Sequence, residues 1–155
     1  MINLRKILVP TDFSEFSKHA LRYGGEFARR FDAELHLLHV IDDSLTVPDP
    51  LMGAPVSDAE IRELQRAAET GMQKLSTESS LKDVRLAAPV VLTGSPFVEI
   101  VRHAKQSGID LIVIGTHGRT GLAHVLLGST AERVVRKARC PVLTVRPEGH
   151  DFVMP

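Results

Sequence analysis

Five short apolar runs alternate with stretches of helical periodicity, and this alternation limits the fold more than any other feature of the sequence. The runs are almost continuously apolar, which is typical of strands buried on both faces of a parallel sheet. Strands that alternate with helices predict a single doubly wound α/β domain, a five-stranded parallel sheet with helices on both faces. We place this domain at residues 1–147 and a C-terminal tail at 148–155. The predicted strands are 6–10, 34–41, 84–92, 111–114 and 141–145.

Capping signals set the expected ends of the four helices. A residue with a short polar side chain, followed three positions later by Glu, is the spacing of a capping box. Three prolines within 42–56 predict an exposed loop there, and Pro89 predicts an edge position for the third strand. The expected capping pairs are Asp12 with Glu15, Ser57 with Glu60, and Ser129 with Glu132; Ser95–Pro96 begins the third helix and Gly108 closes it.

Composition narrows the class of protein. The chain has 155 residues, 43% of them hydrophobic and 25% charged, with a formal net charge of zero. Without a basic field, non-specific binding to nucleic acid is disfavoured. The N-terminus lacks the apolar core of a signal peptide, and no apolar stretch reaches the roughly 18 residues that span a bilayer. Cys140 is the single cysteine, so we expect no intrachain disulfide and a small buried side chain. These features predict a cytoplasmic protein that does not bind membranes.

A glycine-rich segment, 115–130, follows the most apolar strand and leads into the last helix. Its glycines stand at 115, 118, 121 and 128, with His117 and Arg119 between them. Such a loop exposes backbone N–H groups at a helix N-terminus, which is a favourable environment for a phosphate. Two plainer interpretations remain open: the glycines only form a tight turn, and Arg119 is only solvated.

Ligands of open α/β sheets bind beyond the carboxyl ends of the strands, where the strand order reverses. With the strand order 3-2-1-4-5, Pro10, Thr11 and Asp12 would lie beside Ile114 and Gly115. Periodicity does not establish that order. Asp12 could equally serve only as a helix cap.

The spacing Gly115-x-x-Gly118, nine residues, then Gly128-Ser129-Thr130 resembles the nucleotide-binding signature of the universal stress protein family. The resemblance includes residues 9–14, His39–Val40 and 141–145, and it covers essentially the whole chain. It implies a Rossmann-like, adenine nucleotide alpha hydrolase-like fold and the ATP-binding branch of the family.

The resemblance also implies roles for individual residues. The family's acid after the first strand contacts the nucleoside, which assigns Asp12; the backbone at Val40 would read the adenine edge. The ligand would be ATP, or ADP or AMP, with Mg²⁺. The family further implies a homodimer through the edge strand 142–145. The full set of expected binding residues is Pro10, Thr11, Asp12, Val40, Ile114, Gly115, His117, Gly118, Arg119, Gly128, Ser129 and Thr130.

Several kinds of catalytic site are absent from the sequence. No Gly-Lys-Ser/Thr occurs, so the chain is not a P-loop NTPase, and the dinucleotide spacing Gly-x-Gly-x-x-Gly is also missing. His36 and His39 should point to opposite faces of their strand, which argues against a shared metal. Asp12 is the one obvious nearby acid, so we predict no catalytic residue and at most slow ATP hydrolysis. The leading hypothesis is a regulatory stress-response protein that binds ATP. A weak ATPase or phosphotransferase, and a nucleotide-free dimeric interaction module, remain alternatives.

Overall fold

The computed structural model describes residues 1–45, 56–117 and 127–146. Two three-residue 3₁₀ turns, Asp43–Leu45 and Ser79–Leu81, supplement the regular elements. The strands are β1 Lys6–Pro10, β2 Glu34–Asp42, β3 Arg85–Leu86, β4 Val90–Gly94, β5 Leu111–Gly115 and β6 Val142–Val145. The helices are α1 Glu15–Phe31, α2 Asp58–Ser76, α3 Pro96–Ser107 and α4 Ser129–Lys137.

The strands pair in parallel in the order β3–β2–β1–β5–β6, and β4 also pairs with β2. The doubly wound α/β class and the relative order of the predicted strands are therefore confirmed. The prediction of five strands is wrong by one, because the predicted third strand is two short strands that both lie against β2.

The interruption between β3 and β4 has a physical cause in Pro89, which has no N–H to donate to a ladder. Leu35 of β2 pairs with Leu86, whereas Leu38 pairs with Val90. Three steps along β2 thus correspond to four along the outer strand. The extra residue bulges at the proline, and pairing resumes with β4.

Helices cover both faces of the sheet. On one face α1 and α2 pack Ala20, Leu21 and Met72 against a cluster centred on strand side chains such as Ile7 and Leu35. On the other face α3 and α4 pack against a second cluster, which contains Leu8, Leu38, Ile112 and Ile114. Cys140 is half-buried beside this second cluster, and burial raises the pKa of its thiol.

The capping signals are only partly correct. Ser57 and Glu60 form the expected capping box on α2, with Ser57 N–H donating to Glu60 Oε2 at 2.8 Å. The expected first residues of α3 and its Gly108 C-cap, at φ 65°, are also confirmed. Helix α2 ends at Ser76, and the chain then enters the 3₁₀ turn Ser79–Leu81.

Two predicted capping pairs are wrong. The N-cap of α1 is Ser14, whose side chain accepts the Ser17 N–H, so Asp12 and Glu15 form no capping box. The N-cap of α4 is Gly128 without a side-chain hydrogen bond, and Ser129 is already the first helical residue.

The two histidines of β2 lie on opposite faces, as expected. The His36 ring faces α3, where its centroid lies 6.2 Å from that of His103, and its Nε2 contacts Glu34 Oε1 at 2.8 Å. His39 instead lies against Phe13 on the other face. Burial lowers the pKa of His103, and charge on His36 acts in the same direction.

Within the described ranges, no helix is both long enough and apolar enough to cross a bilayer.

Candidate functional site

A cavity of about 600 Å³ opens at the carboxyl ends of β1, β2 and β5. The structure brings ten of the twelve expected binding residues to its wall. Gly118 and Arg119 lie outside the described residues, as do the loop 46–55 and the predicted tail from residue 148. The ten are Pro10, Thr11, Asp12, Val40, Ile114, Gly115, His117, Gly128, Ser129 and Thr130.

The turn between β1 and α1 supplies the first wall, and hydrogen bonds fix it at several points. Thr11 N–H donates to Leu38 O at 2.8 Å, and Phe13 N–H donates to Thr11 Oγ1 at 3.1 Å. Asp12 Oδ1 accepts both the N–H (3.0 Å) and the hydroxyl of Ser14. Asp12 therefore stabilises the turn that precedes α1 while its carboxylate lines the cavity.

Phe13, within this turn, has a left-handed backbone with φ 65°. A bulky residue in that region is uncommon and strained. Its ring lies 4.5 Å from that of His39, centroid to centroid, and both rings line the cavity. His39 Nδ1–H donates to Thr11 O at 2.8 Å, which ties the end of β2 to the turn.

The end of β5 supplies the second wall. Gly115 is the last residue of the strand, and a Cβ placed on it would lie 2.9 Å from the Phe16 carbonyl oxygen. The glycine is therefore required by the close approach of α1.

Beyond β5 the chain is tied to its neighbours through Thr116, which is buried. Thr116 N–H donates to Val145 O at 3.0 Å, and Thr116 O accepts the Gly128 N–H. The second bond places the N-terminus of α4 directly beside the strand end. Thr116 Oγ1 lies 3.0 Å from His117 Nδ1, and the His117 ring packs 5.5 Å from that of Phe16.

The first turn of α4 forms the third wall. Gly128, Ser129, Thr130 and Ala131 all line the cavity. The first N–H groups of a helix have no acceptor within the helix, and the helix dipole is positive at this end. This wall therefore presents a partial positive charge, backbone donors and two hydroxyl groups to the cavity.

Several lining residues escaped the sequence analysis. His39 and Asp42 follow from the rule that ligand sites lie at strand carboxyl ends, since both lie in the last four residues of β2. Asp42 is thus a second acid at the cavity, which corrects the view that Asp12 is the one nearby acid; its Oδ1 accepts the Ser44 N–H at 2.9 Å. The other missed lining residues are Phe13, Ser17, Leu38, Ile41, Leu64, Ala67, Ala68, Pro96, Ile100, Thr116 and Ala131.

Chemically, the cavity combines an apolar interior with a few oriented polar groups, as small-molecule sites commonly do. Its volume lies within the range of roughly 300–1,000 Å³ that such sites have. Among the described residues, no group of three or more His, Cys, Asp or Glu side chains is arranged to hold a metal ion.

Comparison with known proteins identifies the family. Residues 3–146 match the model of the universal stress protein family. Universal stress protein MJ0531 of Methanocaldococcus jannaschii is 38% identical over 142 residues, which cover 92% of this chain and 82% of the relative.

Solved structures agree with this assignment. MJ0577 from the same organism superposes with a TM-score of 0.80 at 32% identity, covering 96% of this chain and 99% of that one. A universal stress protein from Archaeoglobus fulgidus, solved in complex with dAMP, shares the fold with a TM-score of 0.59 at 22% identity, covering 93% and 98% of the two chains. The chain belongs to the universal stress protein family.

Proposed function

We propose that this protein binds an adenine nucleotide, ATP in the first place, in the cavity at the carboxyl edge of the sheet. On this proposal it acts as a regulatory stress-response module whose nucleotide occupancy changes its interactions. The observation that carries the proposal is the convergence of ten expected binding residues on one cavity, with the N-terminus of α4 facing into it. The dAMP complex of the A. fulgidus protein supports an adenylate as the class of ligand.

The backbone of Val40 suits the adenine edge. Leu38 O accepts the Thr11 N–H, so the Leu38 carbonyl points toward β1. Peptide groups alternate in direction along a strand, so residues two apart direct their backbone groups to the same side. The N–H and C=O of Val40 therefore point, like the Leu38 carbonyl, to the β1 side of β2. β1 pairs with β2 only as far as Leu38. Val40 therefore directs one donor and one acceptor past the end of β1, and adenine offers the matching acceptor and amino donor.

The opposite side of the cavity suits phosphate. The N-terminus of α4 and the hydroxyls of Ser129 and Thr130 provide donors, and the helix dipole favours an anion. A charge-assisted hydrogen bond contributes about 1.5–3 kcal/mol. A few such bonds, after the costs of association, support a dissociation constant on the order of micromolar.

Asp12 lies between these two sides, where its carboxylate would accept hydrogen bonds from ribose hydroxyls. Mg²⁺ is usually held by one or two carboxylates together with phosphate oxygens. Asp12 and Asp42 are the acids that line the cavity among residues 1–45, 56–117 and 127–146. Each already accepts a backbone N–H, from Ser14 and Ser44 respectively, which supports binding over proton transfer and hence at most slow hydrolysis.

Calorimetric titration with ATP and Mg²⁺ tests the proposal. We expect micromolar binding by the wild-type protein and roughly tenfold weaker binding by Asp12→Asn. Asparagine keeps an oxygen that can accept the Ser14 N–H, so the turn should persist. Glu69→Gln on the exposed face of α2 is the matched control and should bind as the wild type does. Absence of binding to ATP, ADP and AMP alike would refute the proposal.

A homodimer is the second part of the proposal. β6 pairs with β5 on one side and is the last strand of the described sheet. Val142, Leu143 and Thr144 are only half-buried, and an apolar edge strand commonly requires cover. Pairing with a second copy would provide it. Sedimentation equilibrium at micromolar concentration should give twice the monomer mass of 17.0 kDa; a monomer would overturn this part alone.

A further inference from the structure

Phe13, whose backbone is strained, connects helix α2 to strand β2 beside the proposed nucleotide site. Its ring lies against the backbone of α2 at Gly71, where a Cβ would come within 2.8 Å of Phe13 Cε1. On its other side the ring contacts His39 of β2. The aromatic side chain thus occupies a notch that exists because residue 71 has no side chain.

The backbone of Phe13 lies between two hydrogen bonds that fix the turn around Asp12. On one side, Phe13 N–H donates to Thr11 Oγ1, which also bonds Ser17 Oγ at 3.1 Å. On the other side, Ser14 N–H donates to Asp12 Oδ1. The direction of the Asp12 carboxylate therefore depends on the left-handed conformation of the residue that follows it.

A left-handed phenylalanine persists only where its surroundings stabilise it. We propose that Phe13 is a positioning residue: its ring, held between Gly71 and His39, maintains the turn that presents Asp12 to the nucleotide. This inference rests on the proposed function. The position of α2 then affects the orientation of Asp12 through the contact between Gly71 and Phe13. Three other residues of α2 line the same cavity: Leu64, Ala67 and Ala68.

Phe13 itself lines the cavity, so a direct contact with the ligand must be separated from a positioning effect. Two substitutions do this. Phe13→Ala removes the ring and keeps the strain of φ 65°, whereas Phe13→Gly removes the ring and adopts that φ freely. If the ring acts by holding the turn, Ala should weaken ATP binding by roughly tenfold, and Gly should weaken it clearly less. If the ring acts by contact, Gly should be at least as harmful as Ala.

A double-mutant cycle provides the second readout. Because the proposed effect passes through Asp12, Phe13→Ala should cost little further affinity in an Asp12→Asn background. The same loss should shrink when 2′,3′-dideoxy-ATP replaces ATP, since that ligand lacks the hydroxyls that Asp12 would accept. A purely structural role would instead give additive losses for both ligands.

Gly71→Ala tests the link to α2. The added methyl group should displace the Phe13 ring and weaken ATP binding, yet have little effect when Phe13→Ala has already removed the ring. Thr70→Ala, on the exposed neighbouring position of α2, is the control and should bind ATP normally. Normal binding by Gly71→Ala, or additive losses in either cycle, would overturn the inference. Failure of the wild type to bind any adenine nucleotide would instead refute the proposed function.

Discussion

Replacing Gly115 by alanine distinguishes two explanations for a glycine in the nucleotide-binding signature. One explanation is that the ligand must approach the backbone. The structure offers another, because a Cβ at this position would lie 2.9 Å from the oxygen and 3.1 Å from the carbon of the Phe16 carbonyl group. Both atoms belong to the backbone of α1, so no side-chain rotation relieves the contact. We therefore expect Gly115→Ala to destabilise the protein even without nucleotide.

The expected magnitude follows from the geometry. Ordinary carbon contacts are about 3.5–4.0 Å, so the first turn of α1 must move by roughly half an ångström or more. Overpacking of this kind costs about 1–3 kcal/mol, and alanine recovers about 0.5–1 kcal/mol because glycine is unfavourable within a strand. From the midpoints of these ranges, about 2 and about 0.75 kcal/mol, the net loss is about 1 kcal/mol. For a domain of this size it lowers Tm by about 2–4 °C.

Thermal unfolding followed by circular dichroism, without nucleotide, measures this loss. Gly25→Ala is the matched control: its added methyl group would lie 3.1 Å from the end of the Leu81 side chain, and the nearest backbone atom, Ser80 O, would lie at 3.3 Å against 2.9 Å for the backbone contact at Gly115. The substitution also raises the helix propensity of α1. We expect its Tm to change less. If Gly115→Ala unfolds like the wild type but no longer binds ATP, the packing explanation is wrong and the ligand explains the glycine.

Two further predictions concern stability. The pKa of His103 in the folded protein is lowered by burial and by His36. In the unfolded chain this histidine has its ordinary pKa of about 6.5, so just below that pH the unfolded chain binds more protons than the folded protein. The contribution of His103 to the free energy of unfolding is therefore fully present above that pH and is lost as the pH falls. His103→Gln should flatten the decline in Tm between about pH 7 and 5. Parallel curves of Tm against pH for the variant and the wild type would contradict this. Ser57→Ala removes the hydroxyl that accepts the Glu60 N–H and donates to Glu60 Oε2, and it keeps the backbone N–H that also donates to that oxygen. It should lower Tm by roughly 2–4 °C, whereas Ser57→Thr should preserve it.

Apolar periodicity was sufficient to predict the fold class, because buried parallel strands and amphipathic helices leave patterns within one short segment. The break between β3 and β4 depends on register. Pro89 signals an edge strand, but it does not reveal that four residues there span three residues of β2. The number of strands therefore required the pairing itself.

The helix starts at the site show a related limit. The spacing of Asp12 and Glu15 satisfies the capping-box pattern, yet the chain makes one more turn before α1 begins. That turn depends on Phe13 at φ 65°, a conformation for which a phenylalanine gives no local signal. The pattern therefore placed the N-cap two residues early, at Asp12 instead of Ser14, and Asp12 lines the cavity.

The residues that line the cavity also differ in how far the sequence predicts them. Asp12, at the end of the first strand, follows from the rule for open α/β sheets, whereas Val40 is implied by the family resemblance. Leu64 and Ala67 are exposed positions of α2, and only the placement of that helix over the sheet edge brings them to the wall. Tertiary packing, and not local pattern, determines this part of the site.

The turn that carries Asp12 is supported from two directions by contacts that require glycine. On one side Phe13 rests on Gly71, and on the other the carbonyl of Phe16 rests on Gly115. These contacts join the turn to α2 and to β5, and neither involves a ligand. The carboxylate is therefore oriented before any nucleotide arrives, so binding requires little further ordering of the turn. Replacing Gly71 or Gly115 by a larger residue should therefore weaken nucleotide binding by displacing Asp12, even though Gly71 lies on a helix outside the glycine-rich segment.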